Sequence, residues 1–358
     1  MAYSSIVKPT DYFNTVLYTG ASDSAPSSVT GVGFQPDWIW IKNRSDTSNH
    51  NLYDSVRGGN GTSHYFLKSN STAVEGTNTS SLLTIGSDGF TLGDGNEVNG
   101  QGDNIVSWSW LGANGTASNS NGSITSTVSA NTTAGFSIVS YTGNGSAGST
   151  VGHGLGATPA WIIVKNRDQT DKWTVFHQSL PNGANSYLEL DQTGAASNLS
   201  LSPPYWGTPS STTFGGLHYD STNASGEKYI AYCFAEKKGY SKFSSYTGNG
   251  DADGTFVYTG FKPAWIMIKS STEAGRNWII YDNKRETFNE QEYFMRAQSN
   301  GAETRDDGYS EIDLLSNGFK LRGTSGDSNN SNTFVFMAFA ENPFVANDSG
   351  TAVPLVAR

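Results

Sequence analysis

Apolar residues along this chain come in short runs, separated by stretches of Ser, Thr, Asn and Gly. In Trp38-Ile-Trp-Ile-Lys42 the odd positions share one face and Ile39 and Ile41 the other, because strand side chains alternate with period two. Apolar residues on both faces predict a central strand buried on both sides, with Lys42 at its exit reaching solvent. Tyr232-Cys-Phe-Ala235 and Phe334-Val-Phe-Met-Ala-Phe339 read the same way, and so does Ile105-Val-Ser-Trp-Ser-Trp110, whose Ser107 and Ser109 suggest a wetter face. Asp88-Gly89 and Asn317-Gly318 are hairpin signals. The Glu- and Arg-rich stretch Arg285 to Gln298 is the one place where a helical turn or two is expected.

These runs recur in register. Tyr-Thr-Gly begins at Tyr18, Tyr141 and Tyr246, which lie 123 and 105 residues apart. The motif around Trp38 returns at Trp161 and Trp265, each with a proline just upstream (Pro36, Pro159, Pro263). Phe90, Phe214 and Phe319 form a third landmark, and Trp110, Phe234 and Phe339 a fourth, with spacings that agree to within one residue. Fixed-period self-similarity is the mark of a repeated unit. The reading is an all-β chain of three tandem β-sandwich, jelly-roll-like repeats of about 105 residues. Its expected parts are an N-terminal arm (1–10), repeats at 11–112, 134–239 and 240–345, a flexible linker (113–133) and a C-terminal tail (346–358). The linker expectation rests on small polar composition and on the longer first spacing. The nine landmark aromatics are expected to be repeat core.

Charge and composition narrow the chemistry. There are 32 acidic and 22 basic residues, a net charge of −10, which argues against nucleic-acid binding through phosphate neutralisation. It argues equally against adsorption to an anionic membrane. No apolar run approaches the ~20 residues of a spanning helix, so no membrane insertion is expected. Met1-Ala-Tyr-Ser-Ser carries no secretory-signal pattern. The single cysteine, Cys233, aligns with Ser109 and Ala338 and reads as a small core residue.

Catalytic patterns are scarce. His50, His64, His153, His177 and His218 show no metal-ligand spacing. Asp251-Ala-Asp-Gly254 and Gly93-Asp-Gly-Asn-Glu97 are fragments of calcium loops without the full ligand spacing and read as turn acids. A glycosidase needs two carboxylates across a cleft, yet none of Glu189, Asp191, Asp282, Glu286 and Glu292 recurs as a matched pair. No enzyme activity, metal or cofactor is expected. The candidate for recognition is Ser202-Pro-Pro-Tyr-Trp-Gly-Thr-Pro209, a stiff loop that offers Tyr205 and Trp206 for contact with a glycan or a partner; the competing reading has these aromatics covering the sandwich end.

Met1-Ala-Tyr-Ser-Ser-Ile-Val-Lys-Pro-Thr-Asp-Tyr-Phe-Asn14, Gly31-Val-Gly-Phe-Gln-Pro-Asp-Trp38 and Ser87-Asp-Gly-Phe-Thr-Leu92 resemble virion structural proteins of marine tailed bacteriophages, including cyanophages. The resemblance runs through the first repeat and returns at His153-Gly-Leu-Gly and Pro-Ala-Trp-Ile in the second. It implies a protein made in the host cytoplasm, placed on the virion surface and assembled with other virion proteins. The leading expectation is a non-enzymatic tail-fibre or adhesin subunit that contacts the host surface and its glycans, as a homo-oligomer with a trimer favoured. The alternative is a capsid decoration or head-fibre protein whose arm drapes over a neighbouring subunit; a polysaccharide depolymerase ranks third.

Overall fold

The computed structural model describes residues 4–216, 219–306, 308 and 310–343, together with the backbone of 345–348 and 351–354. The protein is all-β, and every named strand pairs antiparallel. In the first segment Phe13–Thr19 pairs with Asn104–Trp110, which pairs with Trp38–Asn43, which pairs with Asn51–Asp54. The same order appears as Phe136–Thr142, Lys228–Phe234, Trp161–Asn166 and Trp173–His177. It appears again as Ser241–Thr247, Thr333–Pro343, Phe261–Ser270 and Ile279–Asp282. A smaller sheet accompanies each, built on Ser27–Thr30, Thr150–Gly152 and Phe256–Tyr258. The hairpin signals are met, since Gly86 faces Gly89 and Leu315 faces Gly318 across tight turns.

Period-two alternation decides the packing. Trp38 and Trp40, Trp161 and Ile163, and Trp265 and Met267 all enter one apolar cluster shared by the three segments. The residues between and after them, Ile39 and Ile41, Ile162 and Val164, Ile266 and Ile268, point the other way into three separate clusters, one per segment. Each tryptophan strand is therefore the wall between a private core and a common one. Trp110, Phe234 and Phe339 lie in the common core, whereas Phe90, Phe214 and Phe319 fill the private ones, and all nine landmark aromatics are buried. Rings interlock across segments: Trp38 stacks on Tyr232 at 4.4 Å, Trp110 meets Trp265 edge-on at 5.7 Å, and Phe234 meets Phe339 at 5.9 Å.

Polar contacts close the three segments into a cycle. Lys42 Nζ of the first donates to Asn300 O of the third (3.4 Å), Lys269 Nζ of the third to Thr193 O of the second (3.5 Å), and Lys165 Nζ of the second to Thr72 O of the first (3.1 Å). Three further residues, 123 and 105 apart, repeat the pattern. His50 Nε2 meets Arg296 O at 3.2 Å, while Trp173 Nε1 and Trp278 Nε1 donate to Lys68 O and Glu189 O, each at 2.9 Å. Ion pairs reinforce two of the junctions. Glu75 holds both Arg57 and Arg167, and Glu303 holds both Arg285 and Arg44.

Several expectations are corrected. Lys42 does not reach solvent; it is fully buried, because the strand exit meets the neighbouring segment and its ammonium is bound by backbone carbonyls. Ser107 and Ser109 are equally buried, so the strand has no wet face. The stretch 113–133 is not a free linker: Ser126–Asn131 pairs along its whole length with Phe136–Thr142, and Ala117–Asn119 pairs with it in turn. Ile124 and Val128 bury there, and Ser126 Oγ donates to Gly152 O at 2.7 Å, so polar composition concealed a strand. Of the N-terminal arm, Ser4 and Ile6 are buried against the same chain, Ile6 in the common core, so this part is held by its own molecule and not by a neighbouring subunit. Within Arg285 to Gln298 the ordered element is the strand Tyr293–Arg296, not a helix. Among the described residues the α-helices are the single turns Asn96–Asn99 and Asp220–Asn223, and no helix there is long and apolar enough to cross a membrane. Of the tail, Val345–Asp348 pairs with Thr351–Pro354.

Candidate functional site

The loop expected to present Tyr205 and Trp206 turns inward instead. Both side chains are fully buried. The close approach depends on two glycines: Gly207 and Gly216 have positive φ (+58° and +89°), and a Cβ on Gly216 would lie 2.1 Å from Pro204 O. Trp206 donates through Nε1 to Ser186 O at 3.0 Å and packs on Phe176, so it is part of the second private core and unavailable to a ligand. This corrects the expectation that the pair stacks on a glycan directly. The prolines stiffened the loop, but burial of two large rings decided where it lies.

Tyr205 nevertheless borders a cavity of about 380 Å³ lined by Asp171, Lys172, Tyr187, Leu199, Tyr219, Asp220 and Ser221. Four elements build it. Asp171 and Lys172 precede the strand Trp173–His177, Tyr187 stands on Ser186–Glu189, Leu199 follows the short strand Ser197–Asn198 and leads into the inward-turning loop that carries Tyr205, and Tyr219 opens the turn Asp220–Asn223. Tyr205 is centred 5.2 Å from Tyr187 and 5.6 Å from Tyr219, tilted 32° from each. Its hydroxyl pairs with Ser221 Oγ at 3.2 Å, and burial raises its pKa above the ordinary tyrosine value. Tyr219 alone of the three is strongly exposed (46%), so its ring is open to solvent.

Charge at the cavity is mixed and largely spoken for. Lys172 Nζ donates to Tyr187 Oη at 2.9 Å and bridges Glu189 Oε1 at 2.8 Å. Burial alone would lower the pKa of this lysine, but the bonds to Glu189 and Tyr187 outweigh it and hold the ammonium above its ordinary range. Asp171 Oδ1 accepts the backbone N–H of Lys172 at 2.7 Å.

The remaining candidates serve the fold. Asp282 pairs with Arg285, Glu292 with Arg305, and Glu286 accepts the backbone N–H of Glu292 (2.6 Å) and of Tyr293 (3.2 Å). Asp191 accepts the backbone N–H of Trp173 at 2.8 Å; burial raises its pKa. His50 accepts from Trp40 Nε1 at 2.8 Å, and His177 is held neutral by burial, its pKa lowered to about 3. Burial likewise raises the Cys233 thiol well above the ordinary range, which leaves it inert at neutral pH. His218 lies outside the described residues. No cluster of three or more His, Cys, Asp or Glu side chains suited to a metal occurs among the described residues.

Sequence reasoning reached this neighbourhood through Tyr205 but missed Tyr187, Tyr219, Lys172 and the two aspartates. One signal was available. Tyr219 stands just before a short helical turn, where the matching position of the first segment, 124 residues upstream, is Gly95. A large aromatic at one of two structurally matching positions, where the other is glycine, is a mark of local specialisation.

Residues 8–343 match the family described as Domain of unknown function (DUF7483). The chain belongs to this family. Curated proteins contain no match to it. The match spans all three segments and, apart from Ile6, the residues of their common core, so the cyclic arrangement lies within its bounds.

Proposed function

We propose that the protein is a non-enzymatic structural component of a tailed-bacteriophage virion, a tail-fibre or adhesin subunit that touches glycans on the host surface. The observation that carries the adhesin reading is the tyrosine-walled cavity, an aromatic and hydroxyl-bearing recess on a rigid β frame. Sugars present apolar C–H faces that pack on aromatic rings, and hydroxyls that bond to polar groups at the edge. Glu189, Asp191, Asp282, Glu286 and Glu292 are engaged in bridges or in holding backbone N–H groups, which favours binding over turnover. The phage assignment rests on the resemblance of the opening and tryptophan motifs. Three segments of one chain close around a single core, which leaves the outer faces of this unit for other virion proteins and for further copies of the chain, a trimer favoured.

The test is binding of the purified chain to host cells and to a glycan array, beside Tyr219→Ala. Tyr219 is exposed, so its loss leaves the fold intact. Binding that drops about tenfold or more in the variant supports the reading. Binding that is absent, or unchanged in the variant, refutes it.

A further inference from the structure

We propose that the cavity accepts neutral or amino-bearing sugars and turns acidic ones away. This rests on the reading of the cavity as a glycan site and names the class of ligand it selects. The argument is one of donors and acceptors. Ionised carboxylates only accept hydrogen bonds. Asp171, whose Oδ1 already accepts the Lys172 N–H at 2.7 Å, and the exposed Asp220 therefore favour a ligand that brings donors, either hydroxyl groups or an ammonium. The cation in the lining is Lys172, and its ammonium is held by Glu189 Oε1 (2.8 Å) and Tyr187 Oη (2.9 Å). A uronate or sulfate entering the site would have to compete with Glu189 for that ammonium while facing two carboxylates. The net charge of −10 adds long-range repulsion of the same sign. Tyr219 supplies the open ring face for stacking, Leu199 an apolar edge, and Ser221 a hydroxyl already shared with Tyr205. A volume of about 380 Å³ is at the small end of ligand sites, enough for about one or two pyranose rings.

The experiment uses the full chain on an array whose members are grouped as neutral, amino-bearing and acidic glycans, with Tyr219→Ala and Asp220→Asn run in parallel. Binding is expected for the neutral and amino-bearing groups only. Tyr219→Ala should lose both by about tenfold or more, and Asp220→Asn should weaken amino-bearing glycans more than neutral ones. Acidic glycans bound as well as or better than neutral ones, with that binding lost in Tyr219→Ala, would overturn the selectivity while leaving the glycan site standing. Binding by no group, or binding indifferent to Tyr219→Ala, would overturn both.

Discussion

Replacing Arg57 by leucine isolates the energetics of one buried ion pair. The guanidinium is fully buried. It pairs with Asp54, reaches Glu75 Oε1 at 3.1 Å, and donates to Leu52 O at 2.8 Å. Arg57→Leu leaves Asp54 buried, with Tyr232 Oη (2.7 Å) and one backbone N–H as its donors, and the cost expected for such an orphaned charge is about 3–5 kcal/mol. The chain itself suggests the rescue. At the matching positions of the second segment stand His177 and Leu180, both buried, with the imidazole neutral. The double variant Asp54→His, Arg57→Leu transplants that solution, and a buried ion pair exchanged for neutral groups of similar volume is often close to neutral in stability. Its expected cost is below about 1.5 kcal/mol. Tyr232 is retained so that its stack on Trp38 at 4.4 Å survives. The assay is urea unfolding, with the slope held constant as a check that only stability changed. A single variant that costs under about 1 kcal/mol, or a double no better than the single, would refute the claim that this buried ion pair is interchangeable with the neutral pair of the second segment.

Two further outcomes follow from the same contacts. Burial lowers the pKa of Lys42, Lys165 and Lys269 to about 8, against the partial opposition of Glu97 and Glu303 at Lys42, of Asp171 and Asp191 at Lys165, and of Asp327 at Lys269. Between that value and the unfolded lysine value of about 10.4 the unfolded chain binds more protons, so stability rises with pH. Cys233 acts the other way above its unfolded value of about 8.5, and the buried tyrosines, whose pKa values burial also raises, join it only as the pH nears their unfolded value of about 10. The urea midpoint is therefore expected to be higher at pH 9.5 than at pH 7.5, and a lower one would contradict the burial of these ammonium groups. For the stretch 113–133, amide hydrogen exchange should be slow across Ser126–Asn131, where the ladder to Phe136–Thr142 is complete. Fast exchange there, or proteolytic cleavage starting there, would restore the flexible linker.

What was legible in the sequence was whatever a local period encodes. The alternation in Trp38-Ile-Trp-Ile-Lys42 announced a strand buried on both faces, and both faces are buried, although the sequence does not say that one face belongs to a core common to three segments. That step depends on contacts between residues more than a hundred positions apart, and it explains why Lys42 was assigned to solvent. The strand Ser126–Asn131 was hidden because Ser and Thr fill its positions and only Val128 among its large apolar side chains buries. The Tyr205–Trp206 loop shows the limit for the site. Aromatic content marked the right region, but exposure was set by the backbone path through Gly207 and Gly216, and the exposed ring turned out to be Tyr219, on another element.

The central claim is that one shared core binds the three segments into a single structural unit, on which the cavity is mounted. Scanning calorimetry of the intact chain tests it most directly. The account predicts one transition whose calorimetric enthalpy equals the van't Hoff enthalpy, a ratio of about one. A calorimetric enthalpy about three times the van't Hoff value, with each segment melting alone, would contradict it.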